Sequence, residues 1–183
     1  KKKTPELVLE QEVITKLKPL LEEGKPIRQV DLTEEENKAI KGYCFLSQKP
    51  MILLANIGEN QLQNPPVQEL EKFASNIGAS FQVLCGKVEM EISQMDPEEQ
   101  EVFLEEYGIK ESARAVFIRK AYETLGLMSF FTVGEDEVRA WTVNIGSLAP
   151  EAAGVIHTDL QRGFIRAETI SYDAFMDVKS LPK

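Results

Sequence analysis

The run from Met51 to Asn56, Met-Ile-Leu-Leu-Ala-Asn, constrains the fold more than any other segment of this chain. It is continuously apolar, without helical spacing, and is bounded by Pro50 and by Asn56-Ile57-Gly58. Such a short run is expected as a parallel strand buried on both faces. Pro65-Pro66 then opens a helix whose Val67, Leu70, Phe73, Ala74 and Ile77 share one face, with Gly78 as C-cap. A second short strand, Ser80 to Leu84, ends at Cys85-Gly86-Lys87. Strand, helix, strand in that order is a βαβ half-unit of an α/β sheet.

The flanks read differently. Leu7, Ile14 and Leu21 recur every seven residues, with Leu17 and Leu20 on the same stripe, giving an amphipathic helix closed by Gly24 and Pro26. The heptad is too short for an independent coiled coil but suits the last turns of a longer one. Pro19 is expected to kink this helix or mark a turn. Thr33-Glu34-Glu35-Glu36 is a capping box that starts another helix through Ala39 and Ile40 toward Phe45. Asp96-Pro97-Glu98-Glu99 caps a further helix, and Ser112 to Leu125 supplies the next. From Leu127 onward two strands, Leu127–Val133 and Glu137–Val143, flank a polar link and read as a hairpin. A short helix, Pro150 to Ile156, a third strand, Gly163 to Ile170, and a helical start at Tyr172 to Phe175 follow, as in the first part of a small α+β domain.

Composition removes several function classes. The 183 residues carry a formal charge of −9, which repels phosphates and disfavours indiscriminate binding of DNA or other nucleic acid. No stretch approaches the roughly 18 apolar residues of a membrane span. Lys1-Lys2-Lys3-Thr4-Pro5-Glu6 has no apolar segment behind its charges and is not a secretory signal. Cys44 and Cys85 alone make no disulfide framework and fit a reducing, cytoplasmic setting. Glu89 to Glu106 holds eight acids and no base. A solvated helical face accounts for that run, and no histidine accompanies it to argue for a metal.

Ligands of open α/β sheets bind beyond the carboxyl ends of the strands. Here those ends carry Asn56-Ile57-Gly58-Glu59 and Cys85-Gly86-Lys87. The carboxylate and amide can address donors on a purine edge, Gly86 permits close backbone approach, and Lys87 can lay its stem on a ring. A plain strand-to-helix turn uses the same residue types.

Taken with Thr33-Glu34-Glu35-Glu36 and Gln48-Lys49-Pro50, these two segments resemble the YchF (Obg-like) branch of the translation-factor P-loop NTPases. The likeness continues through Leu125 to Gly134, Glu137 to Thr142, Ala149 to Asp159, and Arg162 to Glu168. The last three resemble a TGS domain, a β-grasp module shared with threonyl-tRNA synthetases and stringent-response enzymes. The resemblance implies a helical arm over residues 1–47, the C-terminal part of an NTPase α/β domain over 48–126, and an incomplete TGS domain over 127–183. It implies a parent protein that hydrolyses ATP or GTP with Mg²⁺ and associates with the ribosome or its RNA. Family members outside this branch read guanine with Asn-Lys-x-Asp. Here Ile57 stands at the Lys position and Glu59 at the Asp position, a departure that resembles the branch accepting ATP. The resemblance thus assigns Asn56, Ile57 (through backbone groups) and Glu59 to the base pocket, and Cys85, Gly86 and Lys87 to a second base-contacting loop.

A phosphate-binding loop needs G-x-x-x-x-G-K-[ST]. Gly24-Lys25 is followed by Pro26 and Gly86-Lys87 by Val88, with Pro19 and Phe81 at the first Gly positions, so both pairs fail. The resemblance accordingly places this chain after the family's P-loop, as a C-terminal part that turns over no nucleotide alone. A non-enzymatic β-grasp module that docks on ribosomal RNA or protein is the alternative, with Arg139, Arg162 and Arg166 as contacts. Trp141, Phe130, Phe131 and Phe164 form either a base-stacking platform or a core face. His157, near Ser147, Asp159 and Ser171, lacks a nucleophile-elbow pattern and is expected to be buried or capping. Cys85, close to Lys87, is either an activated thiol or an inert one at a strand end.

Overall fold

Thr4 accepts the Leu7 amide and Pro5 occupies the first turn, so helix α1 starts at Pro5 and runs to Glu22. The computed structural model describes residues 4–134 and 136–178. Two compact units divide it, Lys1–Leu125 and Gly126–Lys183.

Pro19 lies within α1 without ending it. Its missing N–H falls in the last turn, where only one intrahelical bond is lost. The buried face centres on Val13 and Leu17, whereas Leu7 and Leu21 are exposed. The heptad stripe is therefore only partly used. Helix α2 (Glu34–Ile40) is seven residues long and cannot cover the whole of α1. Its capping box forms as expected, with Thr33 Oγ1 accepting from Glu36 N–H and Glu36 accepting from Thr33 N–H. Val13, Leu17, Ile27 and Ile40 make one core cluster. Arg28, between the two helices, donates to the carbonyls of Lys49 and Ile77 at 3.0 and 3.4 Å. The helical segment is thereby latched to the start of the βαβ unit.

That unit comprises β1 (Ile52–Asn56), α3 (Gln68–Asn76) and β2 (Ser80–Leu84). The strands pair in parallel, Ile52 with Ser80 through Asn56 with Leu84. Burial on both faces is not observed. Ala55 is buried, but Leu54 is 46% exposed and Phe73 of α3 is 53% exposed. The helix Ala113–Thr124 packs on β2, where Ser80 bonds Thr124 and Gln82 donates to the Ala113 carbonyl, but Leu54 on neighbouring β1 remains open to solvent. Helix α3 also begins at Gln68 instead of at Pro65-Pro66.

Residues Gly86–Ser93 form a helix, α4, starting directly after β2. Helices α5 (Pro97–Glu106) and α6 (Ala113–Thr124) follow. Part of the acidic run is structural and not simply solvated. Glu89 accepts the amides of Ala113 and Arg114 at 2.7 and 3.4 Å, capping α6 from outside the helix. Cys85, Val88 and Ile92 form a second core cluster, against which Ile57, Leu62, Phe103 and Tyr107 pack.

In the second unit, β3 (Leu127–Val133) and β4 (Val138–Asn144) form the expected antiparallel hairpin, pairing Phe130 with Trp141. Helices α7 (Ala149–Ile156), α8 (Thr158–Arg162) and α9 (Tyr172–Val178) follow. The third strand expected at Gly163–Ile170 is absent: that segment is irregular, with Ile165 91% exposed. Its composition is strand-like, but strands exist only as ladders, and no described strand pairs with it. Phe130 and Phe131, being adjacent in a strand, face opposite sides of the hairpin. A single platform of all four aromatic rings is thus excluded.

Candidate functional site

The parallel register brings Asn56 beside Leu84, so both strands end at one edge and their following segments meet there. Asn56 Oδ1 accepts the Gly86 amide at 2.9 Å. The Ile57 amide donates to the Leu84 carbonyl at 2.9 Å and is thereby committed to the strand pair. Gly58 N–H donates to Gln61 Oε1 at 3.1 Å, setting up a 3-10 turn over Glu59–Gln61. A Cβ at Gly86 would lie 3.3 Å from Asn56 Oδ1, so the absence of a side chain there permits the close approach.

Glu59 projects from this turn and is held twice. Lys87 Nζ reaches Glu59 Oε2 at 2.8 Å, and the Tyr107 hydroxyl donates to Oε1 at 2.9 Å. Lys87 also lies 3.9 Å from Glu91, one turn along α4. The Lys87 ammonium, then the Tyr107 hydroxyl, hold the Glu59 carboxyl below its ordinary range. Glu59 in turn raises both Lys87 and Tyr107. The sign follows for each ion. The Glu59 contacts favour the folded state above its ordinary value of 4.5 and are lost as pH falls through the lowered one. The Lys87 share persists below 10.5 and is lost as pH rises through the raised value.

These groups border a cavity of about 740 Å³ lined by Glu59, Asn60, Leu62, Gln63, Lys87, Glu106 and Tyr107. The volume is within the range of small-molecule sites. Of the sequence-predicted residues Glu59 and Lys87 line it; Asn56 and Gly86 are bonded to each other at the adjoining strand ends, the Ile57 side chain packs on the core, and the Cys85 thiol is turned into that core with Val88 and Ile92. Gly86 and Lys87 belong to the first turn of α4, not to a loop. Tyr107 and Gln63 were not indicated by the sequence. Tyr107 contacts Glu59 across 48 positions, a separation for which no local spacing gives a signal.

Residues 127–183 match the family YchF-GTPase_C, described as a protein of unknown function (DUF933). The ribosome-binding ATPase YchF of Bacillus subtilis is 44% identical over 177 residues, covering 94% of this chain and 48% of that protein. Obg-like ATPase 1 of Caenorhabditis elegans is 35% identical, covering 88% of this chain and 42% of that one. The structure of the Schizosaccharomyces pombe YchF GTPase matches with a TM-score of 0.79 and 31% identity, over 98% of this chain and 50% of that chain. The chain belongs to the YchF family. It spans about half the length of the curated YchF relatives it matches.

The remaining candidates of this YchF chain lie in its second unit. Arg139 stacks over the Trp141 ring, 4.3 Å from its centroid, and the indole N–H donates to Thr132. Arg162 and Arg166 are exposed. His157 caps α8: its Nδ1 accepts the Asp159 amide at 3.2 Å. Ser171 accepts the Ala174 amide and caps α9. His157 and Ser171 are thus both engaged in helix caps. Among the described residues no group of three or more His, Cys, Asp or Glu is placed to hold a metal, and no helix is long and apolar enough to cross a membrane.

Proposed function

We propose that this chain supplies the base-recognising part of the nucleotide site in a YchF-type hydrolase of ATP or, less selectively, GTP. The observation that carries this reading is the Asn56–Gly86 hydrogen bond, which ties together the two strand ends from which Glu59 and Lys87 follow. The Asn56 amide, the Ile57 carbonyl and the Glu59 carboxylate offer donor and acceptor groups for a purine edge, and the Lys87 stem offers an apolar surface. Neither Gly-Lys pair has phosphate-loop spacing, so on this reading the phosphates and Mg²⁺ are met by other residues of a longer protein. Residues 1–47 then belong to a helical arm and 48–126 to the NTPase domain. In the intact hydrolase, Ile57→Lys with Glu59→Asp is expected to shift preference toward GTP, measured as the ratio of ATP to GTP affinities. An unchanged ratio refutes the role of these residues.

On the same reading residues 127–183 are part of a TGS-type β-grasp module, with the β3–β4 hairpin as its described strands, that docks a cytoplasmic parent protein on the ribosome. The exposed arginines and the Arg139–Trp141 stack favour an RNA-facing surface, since guanidinium groups suit phosphates and an aromatic face suits base stacking. Co-sedimentation of the chain with ribosomes is expected to weaken when Arg139, Arg162 and Arg166 are all replaced by Ala. Loss of three phosphate contacts would also flatten the salt dependence. Equal retention by the triple variant counts against this surface.

A further inference from the structure

Tyr107 is fixed before any ligand arrives. Its ring stacks on Phe103 with centroids 4.7 Å apart, its carbonyl accepts from Gln63 Nε2 at 3.1 Å, and its hydroxyl donates to Glu59. Gln63 and Glu59 both follow β1, so the end of α5 is tied to the turn after that strand at two points. The Glu59 carboxylate, with Tyr107 on one oxygen and Lys87 on the other, has its plane set by anchors on both sides.

A carboxylate accepts hydrogen bonds and donates none. Guanine presents two adjacent donors, N1–H and the N2 amino group, which a carboxylate meets best with both oxygens turned to the same edge. Adenine has an acceptor at N1 and one amino donor at N6, and gains nothing from that arrangement. With Tyr107 on one oxygen and Lys87 on the other, Glu59 keeps a lone pair on each, but its plane is set by those anchors and not by the base, so guanine's two donors meet it only as well as that plane allows. Lys87 is on a flexible stem and more than half exposed, so an ion pair with it exchanges at little cost. Tyr107, held by ring and backbone, is the rigid anchor.

We propose that Tyr107 is a specificity-determining residue of this site: by fixing the plane of the Glu59 carboxylate it weakens the paired contact with guanine and lets adenine compete. This rests on the base-pocket reading above. Tyr107→Phe removes only the hydroxyl, keeping the Phe103 stack and the carbonyl bonded to Gln63, so the cavity wall stays in place.

The test is titration of the ¹⁵N-labelled chain with AMP and, separately, GMP, following the Ile57 and Gly86 amides by NMR. Tyr107→Phe is expected to move the GMP:AMP affinity ratio toward GMP by about fivefold, the worth of one hydrogen bond. The Glu59 carboxyl, followed by ¹³C NMR, should titrate higher in the variant, which verifies that the hydroxyl bond is gone; a purely structural role would weaken AMP and GMP alike, whereas the specificity role moves their ratio. Binding of both nucleotides with an unchanged ratio overturns the specificity role alone. No response of Ile57 or Gly86 to either nucleotide in the unsubstituted chain overturns the base-pocket reading and this inference with it.

Discussion

Replacing Ile40 by Ala is expected to lower the unfolding free energy of the first unit by about 3 kcal/mol. Ile40 is the last residue of α2 and has 0% accessible surface, packed among Val13, Leu17 and Ile27. Removing three carbons forfeits their transfer energy and leaves a cavity. Ile40 has three buried cluster partners, two of them on α1, so collapse around the gap would require α2 to move against that helix. Urea unfolding followed by circular dichroism measures the loss. The variant should keep its Gly86 amide shift, because the core of α1 and α2 meets the βαβ unit through Arg28, at the Lys49 and Ile77 carbonyls. Those carbonyls lie before β1 and after α3, whereas the Asn56 site is at the far end of the strand. A loss below about 1 kcal/mol would show that α2 is only loosely docked.

Much of this architecture was legible because it is locally encoded. Thr33 and Glu36 announce their helix through a reciprocal bond spanning three residues, and that bond is present. The apolar runs at 52–56 and 80–84, with a helical stripe between them, leave few alternatives to a parallel pair. The convergence of Asn56-Ile57-Gly58-Glu59 with Gly86-Lys87 followed once the strands were paired, since parallel strands place their carboxyl ends together. What stayed hidden depends on distant partners. Strand-like residues at Gly163–Ile170 cannot make a strand without a neighbour. Leu54 and Phe73 carry the pattern of buried residues but lack a described element to cover them. Helix α4 was masked by Gly86, which reads as a turn residue until the Asn56 side chain is seen accepting its amide. Glu89 looks like one more surface acid, yet it caps a helix that begins 24 residues later. Tyr107 is the extreme case: nothing in Phe103-Leu104-Glu105-Glu106-Tyr107 points to Glu59.

Asn56→Ala is expected to cost about 1 to 2 kcal/mol and to reduce purine nucleotide affinity about tenfold or more. Gly86 is the first residue of α4, and the residue before it, Cys85, provides no side-chain cap. One of the helix's unpaired amides is therefore satisfied from another strand, by Asn56 Oδ1. Alanine removes that acceptor and the tie that keeps Lys87 and Glu59 on facing segments. Asn56→Asp separates the two consequences. Aspartate keeps the acceptor and puts a negative charge at a helix N-terminus, which is favourable there, so stability should return to near that of the unsubstituted chain. It lacks the amide donor, and it sets a second carboxylate near Glu59, so nucleotide affinity should stay low. Thermal unfolding and AMP titration of both variants read these effects independently. If Asn56→Ala unfolds like the unsubstituted chain, water satisfies the Gly86 amide and the hydrogen bond does not hold the site. If Asn56→Asp regains affinity along with stability, the amide donor does not touch the base, and Asn56 acts on the pocket only by capping α4.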